Sequence, residues 1–93
     1  MELTKEARET YRRLFGAEPQ PDKRDPELLA ILQNEIFGEV FSTGVLDDKQ
    51  RELITVTAIA TLGQLPQLKA HTVAALRAGN TPLEIREAVY SCA

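Results

Sequence analysis

The chain has 93 residues, 43% of them hydrophobic and 27% charged, with a formal net charge of −3. A chain this short folds as one domain, 1–93, around a thin core, because folding buries only about 60–65% of the surface it exposes when unfolded. It has no run of eighteen apolar residues to span a membrane, and its acidic balance gives no field for a phosphate backbone, so neither membrane nor nucleic acid is expected as a partner.

The first residues, Met1-Glu2-Leu3-Thr4-Lys5-Glu6-Ala7-Arg8, mix acid and base without an apolar stretch and do not read as a signal peptide. Cys92, a single cysteine, has no internal partner for a disulfide. Together these predict a cytoplasmic protein.

Leu3, Ala7, Tyr11, Leu14 and Phe15 recur at helical spacing up to Gly16, which predicts an amphipathic first helix over 3–15 with glycine as its stop. Residues 17–24 carry two prolines and read as a connecting loop. Asp25-Pro26 then places an N-cap before a proline at the first helical position. Leu28, Leu29, Ile31, Leu32, Ile36, Phe37, Val40 and Phe41 follow as a wide apolar face, and Gly38 bends or ends that second helix.

Ser42-Thr43-Gly44 interrupts the pattern, and Asp47 with Gln50 makes a capping box for a third helix. From Leu53 to Leu62 this helix is apolar or small on every side, a pattern that calls for burial on every side. A chain this size has too few elements to surround it, so a second subunit is expected over part of it. Gly63 closes the third helix, and Pro66 fits the first turn of a fourth that runs to Arg77 or Ala78 and stops at Gly79. Thr81-Pro82-Leu83-Glu84 is another capping box, opening a fifth helix through Ile85, Ala88 and Val89. No strand ladder or repeat is visible, and the fold class is all-α with about five helices and short connections.

Gln64, Gln67 and His71 stand at i, i+3 and i+7, so they form one polar stripe along the fourth helix. Glu52, in the first turns of the third helix, shares a face with Val56, Ile59 and Gly63. An antiparallel packing of helices three and four leaves Glu52 on the order of 16 Å from the connecting turn, and with His71 about as far along its own helix the two can come level across the hairpin. Imidazole and carboxylate in contact make a general acid/base pair, with the carboxylate fixing the tautomer. Arg51 adds a positive charge suited to a substrate carboxylate. The same residues also fit a solvated Arg-Glu pair and an exposed or core histidine. Ala60-Thr61-Leu62-Gly63 before a helix resembles a helix-turn-helix reader, but no Arg or Lys opens the second helix to support it.

Phe37-Gly38-Glu39-Val40-Phe41, then Leu46-Asp47-x-Lys49-x-Arg51-Glu52-Leu53-Ile54, then Leu68-Lys69-Ala70-His71-x-x-Ala74-Ala75-Leu76-x-x-Gly79, and finally Thr81-Pro82-x-Glu84-Ile85-Arg86-Glu87 closely resemble the carboxymuconolactone decarboxylase family, over roughly 37–93. The resemblance implies a helical bundle of the alkylhydroperoxidase and carboxymuconolactone decarboxylase type, assembled as homo-trimers or hexamers. In the peroxidase branch a Cys-x-x-Cys pair precedes the histidine. Here Gln64 and Gln67 occupy those positions, and glutamine has no thiol to oxidise, so disulfide chemistry is excluded at this site.

The decarboxylase branch lacks the cysteine pair. The resemblance to it implies loss of CO₂ from an unsaturated lactone whose own carbonyl accepts the electrons, without cofactor or metal. It assigns Arg51 to the substrate carboxylates, Gln64 or Gln67 to the developing dienolate oxygen, and His71, oriented by Glu52, to reprotonation of carbon. An acidic residue at Glu52 is closer to the peroxidase branch. Family members also continue past the position of Ala93 into a further helix, which the resemblance leads one to expect as a wall of the pocket. The competing expectation is a non-catalytic oligomeric binding or scaffold protein that keeps the fold without the chemistry.

Overall fold

The computed structural model describes residues 1–92, and all regular secondary structure among them is helical. The chain divides into two compact units, Met1–Val45 and Leu46–Ala93. In the first, α1 (Lys5–Phe15) starts where the Thr4 hydroxyl accepts from Ala7 N at 3.1 Å, and it ends at Gly16 in the left-handed conformation. Helix α2 (Pro26–Gln33) is capped by the Asp25 side chain, with proline in its first turn, as the Asp-Pro pair predicts.

The second helix does not run on regularly to Phe41. It passes into a π-helical segment, Asn34–Val40, and then a 3₁₀ turn, Phe41–Thr43. Gly38, expected to bend or end the helix, lies inside the π segment, and the reason is steric. A Cβ at Gly38 would stand 3.1 Å from Thr4 Oγ1 and 3.5 Å from Ala7 Cβ, so only glycine lets the start of α1 approach this closely. Asn34 fastens the same contact, accepting from Thr4 N at 2.8 Å and donating to the Glu2 carbonyl at 3.0 Å. The widened turn also presents Phe37 edge-on to Tyr11 and Phe15, at centroid separations of 5.7 and 5.8 Å. Such aromatic pairs add about 0.5–1.5 kcal/mol each beyond the area they bury.

In the second unit, both halves of the Asp47–Gln50 capping box are formed at the start of α3 (Asp48–Leu62). Gly63, at φ 71°, closes that helix. Its N–H donates to the Ala60 carbonyl and that of Gln64 to the Ile59 carbonyl, the paired bonds of a Schellman stop. The chain reverses there into α4 (Leu65–Arg77). A second Schellman stop, at Gly79 and Asn80, leads to α5 (Pro82–Tyr90), whose Thr81–Glu84 capping box is also complete. Val56, Ala75 and Ile85 form the buried centre, with Leu53, Leu68 and Val89 packed around it.

Helix α3 buries one face in the single chain, with Glu52 and Val56 fully enclosed, and leaves Ile54 57% and Leu62 71% exposed. The core centre draws only one or two residues from each helix because Ala74 and Ala75, both at 0% exposure, bring α4 close to its neighbours. Half-buried Cys92 sets its Sγ 3.4 Å from the Thr57 carbonyl, a packing position on α3.

Candidate acid-base site on the α3–α4 hairpin

The capping box fixes the first turn of α3, and Glu52 follows one turn later on its inner face. Its side chain is completely buried. The hairpin brings α4 back antiparallel, and Ala74 and Ala75 allow the two helices to pack closely enough for His71 to face Glu52. His71 Nδ1 lies 2.9 Å from Glu52 Oε2, and the His71 side chain keeps 15% of its surface exposed. The contact expected from the antiparallel register is formed.

With a carboxylate oxygen at Nδ1, that nitrogen carries a proton which it donates to Glu52. The opposite edge of the ring, Nε2, is then the one that can exchange a proton with a substrate. Glu52 Oε1 is buried without a hydrogen-bond partner and retains capacity to accept one. A buried carboxylate is costly unless it is paired, and the His71 imidazole supplies that pairing at Oε2.

The remaining sequence-expected residues are placed less uniformly. Arg51 adjoins Glu52 in the chain, is half-buried, and has its Nε shielded from solvent. Gln67 lies one turn before His71 on α4. Gln64 occupies the N-cap position of α4, where its side chain makes no capping bond, and both glutamines are exposed. The stripe of three is therefore polar along its length, but only its His71 end reaches the buried carboxylate. Each unit also carries a concave region. A cleft of about 260 Å³ in the first unit is lined by Arg8, Leu29, Gln33 and prolines 19, 21 and 26. An apolar groove of about 450 Å³ runs along α3 and α5 by Leu53, Ile54, Thr57, Ala58, Ala88 and Ser91.

The sequence reading missed a polar cluster one turn from the pair. Asn80 is 4% exposed, and its Nδ2 donates to the Lys49 carbonyl at 3.0 Å and to the Ala75 carbonyl at 3.1 Å. The Lys49 ammonium lies 3.3 Å from Glu84 Oε2. The Glu84 carboxyl is held below its usual range first by the Thr81 backbone N–H and then by Lys49. The available signal was an asparagine lodged between a helix-stopping glycine and a helix-capping threonine. Among the described residues no group of three His, Cys, Asp or Glu side chains is arranged to hold a metal ion, and no helix is long and apolar enough to cross a membrane.

A model of the carboxymuconolactone decarboxylase family matches residues 26–93. The chain belongs to that family. As the sequence indicated, it is a carboxymuconolactone decarboxylase family member without a Cys-x-x-Cys pair. It is similar to an uncharacterized 15.0 kDa protein in the nqo9-nqo10 intergenic region of Paracoccus denitrificans, with 38% identity over 71 residues, covering 74% of this chain and 53% of that protein. The chain thus spans about half the length of that relative. No solved structure matches it. Family membership and the buried Glu52–His71 pair together make the α3–α4 hairpin the candidate acid-base site of this chain.

Proposed function

We propose that this chain is a cofactor-free decarboxylase, or a related lyase, acting on a small unsaturated carboxy-lactone such as γ-carboxymuconolactone. The observation that carries the proposal is the 2.9 Å contact between His71 Nδ1 and the fully buried Glu52 carboxylate. In the reaction the bond from carbon to the carboxylate breaks, CO₂ departs, and the electron pair passes into the lactone carbonyl as a dienolate. His71, protonated at both nitrogens as the imidazolium, delivers its Nε2 proton to carbon and is left as the neutral Nδ1–H ring that Glu52 orients, to be reprotonated at Nε2 by solvent water for the next turnover. Arg51 holds a substrate carboxylate, and the amide of Gln67 or Gln64 donates to the dienolate oxygen.

Assembly as a homo-oligomer, trimeric or hexameric as the family resemblance implies, belongs to the same proposal. The exposed Ile54 and Leu62 on α3 are where a second subunit would gain apolar contact. The direct test follows the ultraviolet absorbance of γ-carboxymuconolactone: wild type consumes it and His71→Ala does not. Absence of turnover in wild type, or equal turnover in the variant, removes the substrate assignment.

Exposure of Gln64 and Gln67 favours a second reading as a non-catalytic binding or scaffold protein. The two diverge in the NMR response to added γ-carboxymuconolactone. A working site binds the lactone substrate in the ¹H–¹⁵N spectrum with shifts centred on His71 and Arg51, and a scaffold leaves those resonances unmoved.

A further inference from the structure

We propose that Asn80 is the positioning residue of the Glu52–His71 pair: its buried amide bridges the Lys49 and Ala75 carbonyls and so sets the register in which carboxylate and imidazole meet. The inference rests on the acid-base reading of that pair and adds the element that holds it. Lys49 precedes Glu52 by three residues on α3, and Ala75 follows His71 by four on α4. Each bridged carbonyl is therefore about one turn from the side chain it serves, on the order of 5–6 Å along its helix.

The hairpin needs such a device. Another fastening, the Gly63 turn, is eleven residues beyond Glu52, on the order of 16 Å along α3. Antiparallel helices joined only there can slide and rotate at the far end, where a shift of one ångström breaks a hydrogen bond of 2.9 Å. Asn80 closes that end with two bonds from one nitrogen, and the chain reaches it through a Schellman stop that fixes the Asn80 backbone on the Ala75 carbonyl at 3.0 Å. The Lys49–Glu84 ion pair ties the same residue of α3 to the first turn of α5. Asn80 is also an expensive choice for a filler, because its Oδ1 is buried without a hydrogen-bond partner. What the position uses is the donor.

The test reads the imidazole directly, through the ¹⁵N and ¹H shifts of His71 recorded in alkaline buffer where the ring is neutral. In wild type the Nδ1–H tautomer dominates, because Glu52 accepts from it. Asn80→Ala is expected to shift the ring toward the tautomer ratio of a histidine in an unstructured peptide, and Asn80→Ser, with one hydroxyl donor, to give an intermediate ratio. Thr81→Ala removes the α5 cap and lowers the melting temperature without touching the bridge, so it leaves the tautomer as in wild type. If Asn80→Ala does not fold, Asn80→Ser carries the comparison. A wild-type tautomer ratio in the folded Asn80 variants, or an equal shift in Thr81→Ala, overturns the proposal. Glu52→Leu separates this failure from that of the underlying reading: if it too leaves the tautomer unchanged, the Glu52–His71 bond itself is absent in solution.

Discussion

Replacing His71 with leucine leaves the Glu52 carboxylate in place and takes away the one partner that Oε2 has in the hydrogen-bonded pair, while Oε1 is already without one. Glu52 is 0% exposed, so water cannot take over the lost bond without opening the hairpin. Stripping a partner from a buried ion pair costs about 3–5 kcal/mol. Removing the carboxylate instead, as Glu52→Leu, is milder: the remaining imidazole has a neutral form, keeps 15% of its surface in solvent, and meets a residue of similar volume. That change is expected to cost about 1 kcal/mol, the net worth of an ordinary hydrogen bond. In the double variant Glu52→Leu/His71→Leu no buried charge is left, and its stability falls close to wild type. Urea unfolding measures all four proteins. With a slope of about 2 kcal/mol/M, the His71→Leu midpoint drops by about 2 M and the double variant recovers most of it. If His71→Leu costs no more than Glu52→Leu, or the two losses simply add, Glu52 is not held by His71 and the site as described does not exist in solution.

The pH dependence of the α3–α5 tie has a definite sign. The native Glu84 carboxyl lies below its unfolded value, so its contribution is complete above the usual glutamate range and fades as pH falls through the lower native value. Glu84→Gln, which can still accept from Thr81 N, should therefore show a flatter urea midpoint on the acid side than wild type, and parallel acid profiles would count against the Lys49–Glu84 tie. Gly38→Ala should destabilise the first unit by about 1–3 kcal/mol through overpacking against Thr4 and Ala7, measurable as a lower melting temperature. A neutral or stabilising effect would mean that α1 does not sit in close contact with the π segment at Gly38. Val56→Ala removes two buried carbons from the centre of the second unit and should cost about 2 kcal/mol without altering His71 resonances.

What the sequence made legible was local chemistry. Asp47 with Gln50, Thr81 with Glu84, and Asp25 before Pro26 announce helix starts because capping geometry involves residues three positions apart. Gly16, Gly63 and Gly79 announce stops because each takes a positive φ that other residues resist. The Glu52–His71 contact was legible for a related reason: a tight turn between two helices fixes roughly which residues come level, and counting from Gly63 puts Glu52 eleven residues back and His71 eight on, within about one helical turn of each other. The π segment was not legible. Nothing in the spacing of Ile36, Phe37 and Val40 distinguishes a widened turn from a regular one. The distinction lies in a segment some thirty residues earlier, where the side chains of Thr4 and Ala7 close over Gly38 and Thr4 N donates to Asn34.

Asn80 marks the boundary between the two kinds of information. Its backbone role, the second N–H of a Schellman stop after Gly79, follows from its position in the sequence. Its side-chain role does not, because Lys49 lies 31 residues away and offers only a carbonyl, a group every residue carries. A pattern of side chains cannot show which carbonyl an amide will find. The pair Glu52–His71 can be read by counting, but whether it is held within hydrogen-bond distance depends on a contact that counting does not see. Family resemblance marks the carboxylate and the imidazole. In this chain the distance between them is set from the far end of the hairpin, by an amide whose own oxygen goes without a partner.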